Sequence, residues 1–167
     1  MHHVLVSHGR AIEVMRGLGM ENPGAVCNFE WADPASSSVE DAAATARFDA
    51  IYNRFFLGGL FKGAYPDLVL EGLEPHLPNG WQDDFKTSPA PRDWIGVNYY
   101  TRSRLVHDDG PWPHYGKAEA VLPTTAMDWE IHPGALARCL TRTAEDYSGD
   151  LPIYVTESGM ANTDLVN

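Results

Sequence analysis

The sequence predicts an α/β fold with about three parallel strands and flanking helices. Apolar segments with strand character lie at residues 24–29, 94–100 and 153–157, and helical patterns separate them. Strands that alternate with helices favour a parallel sheet with right-handed crossovers. The chain has 167 residues, which suits one domain of ordinary size, and we expect a single domain over residues 1–167.

The helices are predicted from apolar residues at helical spacing, over residues 2–18, 39–62, 66–76 and 133–147. Ser37 and Glu40 have the spacing of a capping box at the start of the second helix, and Pro133 suits the first position of the last one. Residues 77–93 and 101–128 are rich in turn residues and predict loops. We expect the second loop at the functional face, because long loops are usually functional or mobile.

The composition argues against several classes of partner. The chain carries 12 Lys and Arg against 23 Asp and Glu, a formal net charge of −11. No basic run could follow a phosphate backbone, so we expect no nucleic acid partner. We expect no membrane partner either, because no apolar run reaches the roughly 18 residues of a membrane span and the N-terminus lacks the pattern of a signal peptide.

The two cysteines and seven histidines do not indicate a metal or disulfide framework. Cys27 and Cys139 lie in apolar surroundings, and we interpret them as buried thiols in a reducing compartment. This interpretation predicts a cytoplasmic protein. The histidines show no metal-ligand spacing, so we expect no metal site.

The most informative segment is the strand at residues 153–157, which runs into Glu157 and is followed by Ser158 and Gly159. This pattern places a carboxylate at the C-terminal end of a buried strand. In β/α barrels catalytic residues lie at that end, and a carboxylate held there is what a retaining glycosidase needs as its nucleophile. The alternative is a strand that ends in an exposed glutamate before a turn.

Two further motifs accompany this one. A second apolar strand ends in Asn98-Tyr99-Tyr100, and the segment Met127–Ile131 reads M-D-W-E-I. In this order and spacing, the chain resembles the β-glucosidases of glycoside hydrolase family 1 over nearly its whole length. The family's blocks G-x-N-Y-Y, M-x-W-E-I and [IV]-T-E-N-G match Gly96–Tyr100, Met127–Ile131 and Val155–Gly159, and Ser158 stands where the family usually has Asn.

The resemblance implies a partial (β/α)8 barrel, from its fourth helix to its seventh strand. A complete barrel typically needs about 250 residues, so this chain can hold only a C-terminal half region without the last strand. The family's general acid/base lies in a T-x-N-E-P block after the fourth strand, and no such block occurs in this sequence. We therefore expect the nucleophile without its acid/base partner.

The resemblance also implies roles for Glu157, Tyr100 and Trp129, and positions along the strands add Asn98 and Asn28 as candidates. Glu157 is the nucleophile, and the Tyr100 hydroxyl bonds its carboxylate and keeps it ionised. Asn98 lies on the same side of the strand as Tyr100 and would bind substrate, support Tyr100 or satisfy loop backbone. Trp129 matches a tryptophan at the aglycone side, where an indole face suits a sugar ring or an apolar aglycone. Asn28, at the end of the first strand, is expected to face the same mouth.

Purely structural roles are the alternative for these residues. Tyr100 could anchor the strand end, Trp129 could pack a long loop against the core, and Asn28 could form a turn. Tyr99 is expected to point outward as a structural residue. The letters N-F-E-W at 28–31 repeat a glucose-binding block of the family at the wrong place in the chain, so we assign no sugar contact to Glu30 or Trp31.

Together these residues predict part of a retaining β-glucosidase that acts on a β-glucoside or oligosaccharide without metal or organic cofactor. We expect little or no activity from the isolated chain. One alternative is a non-catalytic or sugar-binding chain, and another is a half-barrel that assembles with itself or with a complementary fragment. Assembly would cover open sheet edges and the inner faces of the strands. We expect the inner faces to carry residues that lose the packing of the missing strands, with these as candidates: Ala25, Cys27, Ile95, Val97 and Ile153.

Overall fold

The structure is a computed structural model that describes residues 1–86 and 90–163. Its helices are α1 (His2–Gly17), α2 (a continuous helical stretch over 39–62), α3 (Asp67–Leu73), α4 (Trp81–Asp84) and α5 (Pro133–Thr143). Its strands are β1 (Ala25–Pro34), β2 (Ile95–His107), β3 (Tyr115–Lys117) and β4 (Ile153–Glu157). The predicted order of strands and helices is confirmed. The predicted loop 77–93 contains α4, and its residues 87–89 lie outside the described residues.

The helix α2 combines α-helical and π-helical turns, the latter at Ala50–Arg54 and Gly58–Lys62. It begins at Ser38, whose hydroxyl accepts a hydrogen bond of 3.1 Å from the backbone N–H of Asp41. The predicted capping pair of Ser37 and Glu40 is therefore wrong by one residue. Three consecutive serines offer alternative caps, and the local sequence does not distinguish among them.

The strand β2 is the centre of a mixed four-stranded sheet. β1 pairs with one of its edges in parallel, and β4 pairs in parallel with the first half of the other edge. β3 pairs antiparallel with the last three residues of β2. The predicted loop 101–128 is therefore wrong for residues 101–107 and 115–117, because β1 and β3 supply hydrogen-bond partners that the local sequence does not reveal. The sheet is not closed within the described residues.

The outer face of the sheet packs beneath helices. Ile95 and Val97 are 0% exposed and Tyr99 is 4% exposed. α5 covers them with Ala135 and Cys139, and the whole group forms one apolar cluster. The outward direction predicted for Tyr99 is confirmed. A second apolar cluster lies between α1, α2 and α3 and includes Leu5, Phe55 and Val69.

The inner face of the sheet, which is the side that a barrel would enclose, is open within the described residues. Val26, Gly96 and Tyr154 lie side by side in the register of β1, β2 and β4. Val26 is 50% exposed and Tyr154 is 55% exposed. A Cβ atom at Gly96 would lie 2.7 Å from Cγ2 of Val26, so the close approach of the two strands requires glycine there.

The prediction of which residues lose their packing is wrong in its choice of face. Side chains of a strand alternate between its two faces, and the assumed alternation was one residue out of phase. The predicted residues lie on the face that the helices cover, where they are buried or packed against the two apolar clusters: Ala25, Cys27, Ile95, Val97 and Ile153.

No helix in the two described ranges is both long and apolar enough to cross a membrane. The same ranges hold no group of three or more His, Cys, Asp or Glu side chains that could bind a metal ion. Cys27 and Cys139 are free thiols, and burial raises the pKa of each to about 11.

Candidate active site

Glu157 is the last residue of β4 and lies opposite Asn98 in the parallel pairing with β2. A register shift in this pairing brings Glu157, rather than Thr156, to that position. The Tyr100 hydroxyl donates a hydrogen bond of 2.6 Å to Oε2 of Glu157. This is the contact that the two motifs predict, whereas the catalytic roles of both residues stay a prediction.

The hydrogen bond to Glu157 further favours the protonated form of Tyr100. The bond to Glu157 is the main reason why the pKa of Tyr100 is raised, and partial burial and the negative charge of Glu157 act in the same direction. Tyr100 therefore keeps its proton at neutral pH and remains a donor to the carboxylate. Both side chains are exposed, so a ligand can reach them.

Asn28 and Asn98 are register partners on the inner face of β1 and β2. Oδ1 of Asn98 accepts a hydrogen bond of 2.7 Å from the Thr156 hydroxyl, and Nδ2 of Asn28 donates one of 2.7 Å to the Tyr52 hydroxyl. Support of Tyr100 by Asn98 is therefore not seen in the described residues. The alternative interpretation, in which Asn28 forms a turn, is wrong, because β1 continues to Pro34. The substrate-binding roles of both amides stay predictions.

Trp129 is held by a tight turn over residues 125–129. The backbone N–H of Thr125 donates to the Trp129 carbonyl at 2.8 Å, and Thr124 forms a bridge with Glu130. The ring of Trp129 is half-buried and its centroid lies 5.7 Å from that of Tyr100, with 52° between the planes. Trp129 therefore stands beside Tyr100 and leaves part of its surface available to a ligand.

Tyr100, Trp129 and Asn28 line a common cavity of about 510 Å³. This volume is in the range of small-molecule sites, which is about 300–1,000 Å³. Asn98 and Glu157 are outside its lining. The remaining walls are rich in polar and charged side chains, which include Glu30, Tyr52, Arg102, Ser103, Arg104, Lys117 and Glu130.

Glu130 lines this cavity as a carboxylate that stays ionised. Its side chain is 6% exposed, and it accepts hydrogen bonds from Nε of Arg102 at 2.6 Å and from the backbone N–H groups of Val121 and Leu122 at 2.6 and 3.2 Å. Burial by itself would raise the pKa of Glu130, but these hydrogen bonds and the charge of Arg102 outweigh it and lower the pKa. A group held in this state is a poor proton donor, so Glu130 does not suit the role of general acid.

Glu30 lines the same cavity, and the sequence interpretation missed it. It is 8% exposed, and its Oε1 accepts hydrogen bonds from the Ser103 hydroxyl and from Nζ of Lys117, the latter at 2.7 Å. Trp31 faces the opposite side of β1, where the guanidinium groups of Arg138 and Arg142 lie 5.0 and 4.7 Å from its ring centroid. The alternation of Asn28 with Glu30 would have revealed this position if the first strand had been extended beyond Phe29.

Comparison with known proteins connects this geometry with a family. The sequence profile of Glycosyl hydrolase family 1 matches residues 1–167. The chain is 34% identical over 170 residues to the 1,4-β-D-glucan glucohydrolase of Thermotoga neapolitana. The aligned region covers 100% of this chain and 40% of that protein. It is also 34% identical over 170 residues to β-glucosidase A of Thermotoga maritima, with coverage of 100% and 38%.

The structure is similar to that of the Thermotoga maritima β-glucosidase in complex with glucoimidazole, with a TM-score of 0.90 and 33% identity over 99% of this chain and 37% of that chain. The chain thus spans only 38 to 40% of the length of the two relatives. Its three parallel strands and flanking helices form part of a (β/α)8 barrel, as the sequence predicts. The profile match over every residue and the agreement in fold together establish that this chain belongs to glycosyl hydrolase family 1.

Proposed function

We propose that this chain contributes the nucleophile side of a retaining β-glucosidase site, within one partial barrel domain over residues 1–167. The observation that carries the proposal is the 2.6 Å hydrogen bond from Tyr100 to the exposed carboxylate of Glu157. The names of the relatives support it, because they are a glucan glucohydrolase and a β-glucosidase.

In the proposed reaction, a carboxylate oxygen of Glu157 attacks the anomeric carbon of a bound β-glucosyl unit. A new carbon–oxygen bond forms as the glycosidic bond breaks, and the leaving oxygen takes a proton from a general acid. Water, deprotonated by the same acid in its basic form, then displaces Glu157 and restores the original configuration. No metal or organic cofactor enters either step.

The other site residues orient the reactants in this proposal. Tyr100 holds the Glu157 carboxylate in place and keeps one of its oxygens bonded. Trp129 offers its ring face to the leaving group, and the amides of Asn98 and Asn28 bind sugar hydroxyls. The general acid is not among the assigned residues, because residues 1–167 contain no T-x-N-E-P block and Glu130 is held ionised by Arg102 and two backbone donors.

Assembly and location are part of the same proposal. The exposed inner face, with Val26 and Tyr154, favours a second copy of this chain or a complementary barrel fragment as a cover. The two free thiols, Cys27 and Cys139, favour a reducing compartment such as the cytoplasm.

The first experiment measures hydrolysis of an aryl β-glucoside by the purified chain. We expect little or no turnover, because the T-x-N-E-P block that carries the family's proton donor does not occur in residues 1–167. Turnover of about 1 s⁻¹ or more, which is typical of enzymes, that disappears in Glu157→Gln would contradict the missing acid and would require another carboxylate in that role.

The second experiment tests the nucleophile itself. Residues 1–167 replace the matching segment of the Thermotoga maritima β-glucosidase, and the chimera is treated with an activated 2-fluoro-β-glucoside that accumulates as the glycosyl-enzyme. We expect the sugar mass on the peptide that contains Glu157, and a loss of activity of about 10³-fold or more in Glu157→Gln. The matched control is Glu71→Gln, an exposed carboxylate on α3.

A folded, active chimera that is labelled elsewhere would refute the proposal, and so would one that keeps its activity in Glu157→Gln. Circular dichroism and a thermal melt establish that each variant is folded before its activity is compared. A non-catalytic, sugar-binding chain would bind glucosides in the chimera without any covalent label.

A further inference from the structure

The proposed nucleophile lies at an irregularity of the strand that carries it. Val155 of β4 pairs with Val97 of β2, but the next residue of β2, Asn98, pairs with Glu157. Thr156 is therefore an extra residue in β4, and the irregularity is a β-bulge. Bulges are rare in parallel pairs and over-represented beside active sites, where they redirect a side chain. The proposed reaction gives this bulge no role.

The bulge decides on which face of the sheet Glu157 lies. Side chains of a regular strand alternate between its two faces. Tyr154 lies on the inner face beside Gly96, so regular alternation would place Thr156 on the inner face and Glu157 on the outer one. In the structure both consecutive side chains are on the inner face, because Glu157 reaches the Tyr100 hydroxyl there. Without the bulge, the carboxylate would point to the face that α5 covers.

The side chain of Thr156 is fitted to two successive inner-face positions of β2. Its hydroxyl donates a hydrogen bond of 2.7 Å to Oδ1 of Asn98. A Cβ atom at Gly96 would lie 2.9 Å from Oγ1 and 3.0 Å from Cγ2 of Thr156. A larger residue than glycine would therefore displace the threonine, and Gly96 leaves the space that its side chain occupies.

The other edge of β4 offers no alternative support within the described residues, where β4 pairs with β2 alone. In that part of the chain, two side-chain hydrogen bonds join β4 to β2. One is the bond from Thr156 to Asn98, and the other is the bond from Tyr100 to Glu157. Because the two bonds lie side by side on one face, the first limits the movement of the backbone that carries the second.

We infer that Thr156 is a positioning residue, whose bond to Asn98 fixes the bulge that directs the carboxylate of Glu157. The inference deepens the proposed function and rests on it, because that proposal assigns the attack on the anomeric carbon to Glu157. Thr156 itself touches no reacting atom. The bond uses only Oδ1 of Asn98, so its Nδ2 can still donate to a sugar hydroxyl.

The first test follows the Tyr100 phenol in the purified chain by ultraviolet titration, with each variant compared with its own Tyr100→Phe form. Thr156→Val keeps the shape of the side chain but removes the hydroxyl. It should move the midpoint down by at least about half of the shift that Glu157→Gln produces, because the carboxylate leaves the phenol more often. Thr156→Ser keeps the hydroxyl and should restore the wild-type midpoint. The matched control, Thr141→Val at an exposed position on α5, should leave it unchanged.

A second variant tests the same bond from its other end. Asn98→Ala removes the acceptor and should move the midpoint as Thr156→Val does. The double variant should add nothing to either single one, because all three lack the same hydrogen bond. Circular dichroism and urea unfolding establish that each variant is folded. If Thr156→Val does not fold, the midpoint of Asn98→Ala decides the question by itself.

The second test uses the chimera and its 2-fluoro-β-glucoside. Thr156→Val should slow the labelling at saturating reagent by about tenfold or more, because a small displacement of a reacting group has an effect of at least that size. The half-saturating concentration should change by less than about twofold, since Thr156 makes no contact with the sugar in this scheme. Thr156→Ser should be labelled at a rate close to that of the unsubstituted chimera, and so should Thr141→Val.

An unchanged Tyr100 midpoint in folded Thr156→Val or Asn98→Ala would overturn the inference. Equal losses in Thr156→Val and Thr156→Ser, or additive shifts in the double variant, would overturn it as well, because the hydrogen bond would not be their cause. Labelling of a residue other than Glu157 in the unsubstituted chimera would refute the proposed function instead. The titration of the isolated chain would still decide whether Thr156 fixes the contact between Glu157 and Tyr100.

Discussion

The two faces of the sheet differ in what covers them, although the same strands supply both. On the outer face, Ile95 and Val97 are 0% exposed beneath α5. On the inner face, Val26 and Tyr154 are at least half exposed, and Glu157 is exposed. The comparison shows that the packing that stabilises this chain lies on the helix side. The candidate site residues Tyr100 and Glu157 lie on the side that no described helix covers.

The largest expected effect concerns association through the inner face. We predict that the isolated chain forms oligomers or aggregates, because Val26 and Tyr154 on the inner face are at least half exposed and exposed apolar patches favour association. A double variant with Val26→Asp and Tyr154→Asp should shift the chain toward monomer in sedimentation velocity. The control pair is Val14→Asp with Val39→Asp, which places the same charges at exposed positions on α1 and α2.

A wild-type chain that stays monomeric would contradict the expected difference between the two faces. A compact monomer with a sharp cooperative melt, and without binding of a dye that detects apolar surface, would mean that the inner face needs no cover.

The second prediction compares the same substitution on the two faces. Val97→Ala should lower the free energy of unfolding by about 2 kcal/mol, because it removes buried methyl groups and leaves a cavity. Val26→Ala should change it by no more than about 0.5 kcal/mol, since that side chain is half exposed. Urea unfolding of both variants measures the difference. Equal losses would show that the inner face is packed as tightly as the outer one.

The third prediction sharpens the comparison at the cavity, where charges hold the structure instead of apolar contacts. Glu130→Gln keeps the size of the side chain but removes the charge that Arg102 binds. We expect a loss of about 2 kcal/mol in the free energy of unfolding at neutral pH, the effect of a hydrogen bond between charged groups. The control, Glu119→Gln, changes an exposed carboxylate and should have an effect below about 0.5 kcal/mol.

The pH dependence of that loss has a defined sign. The pKa of Glu130 in the folded chain lies below its usual value of 4.5. The stabilisation is therefore fully present above pH 4.5 and is lost as the pH falls through the folded-state pKa. The difference between wild type and Glu130→Gln should shrink in acid. A difference that stays constant into strong acid would contradict the ion pair.

The smallest expected effect is a shift in the titration of Tyr100 on the inner face. The difference in ultraviolet absorbance between wild type and Tyr100→Phe isolates this phenol. It should titrate above its usual pKa of 10.0, because the hydrogen bond to Glu157 stabilises the protonated form. Glu157→Gln should move the midpoint down, and Glu71→Gln should not. An unchanged midpoint in Glu157→Gln would show that the contact does not form in solution.

The order of elements could be predicted from the sequence, because strand and helix periods are local properties. The apolar runs before Asn98 and before Glu157 identified β2 and β4, and Pro133 marked the start of α5. The strand ends could not be predicted in the same way. Residues 101–107 extend β2 because β1 and β3 lie beside them, and pairing with distant residues leaves no signal in the local sequence.

In the candidate site, too, local features could be predicted from the sequence and contacts between distant residues could not. The contact of Tyr100 with Glu157 was predictable, because each residue follows an apolar run of its own strand and parallel strands align their C-terminal ends. The pair of Glu30 and Lys117 was not predictable, since 87 residues separate its members. The ionised state of Glu130 was not predictable either, because it depends on contacts with Arg102 and two backbone N–H groups that only the fold brings together.

The sequence by itself determined the alternation of strands and helices, the family motifs and the chemical types of the candidate residues, because these depend on residues close together in the chain. Only the tertiary structure decided which face of each strand is buried. A shift of one residue exchanges the two faces, and the helices that cover one of them come from distant parts of the chain. For the same reason, the fold was needed to show that β1 continues past Phe29, which places Glu30 in the cavity and Trp31 outside it.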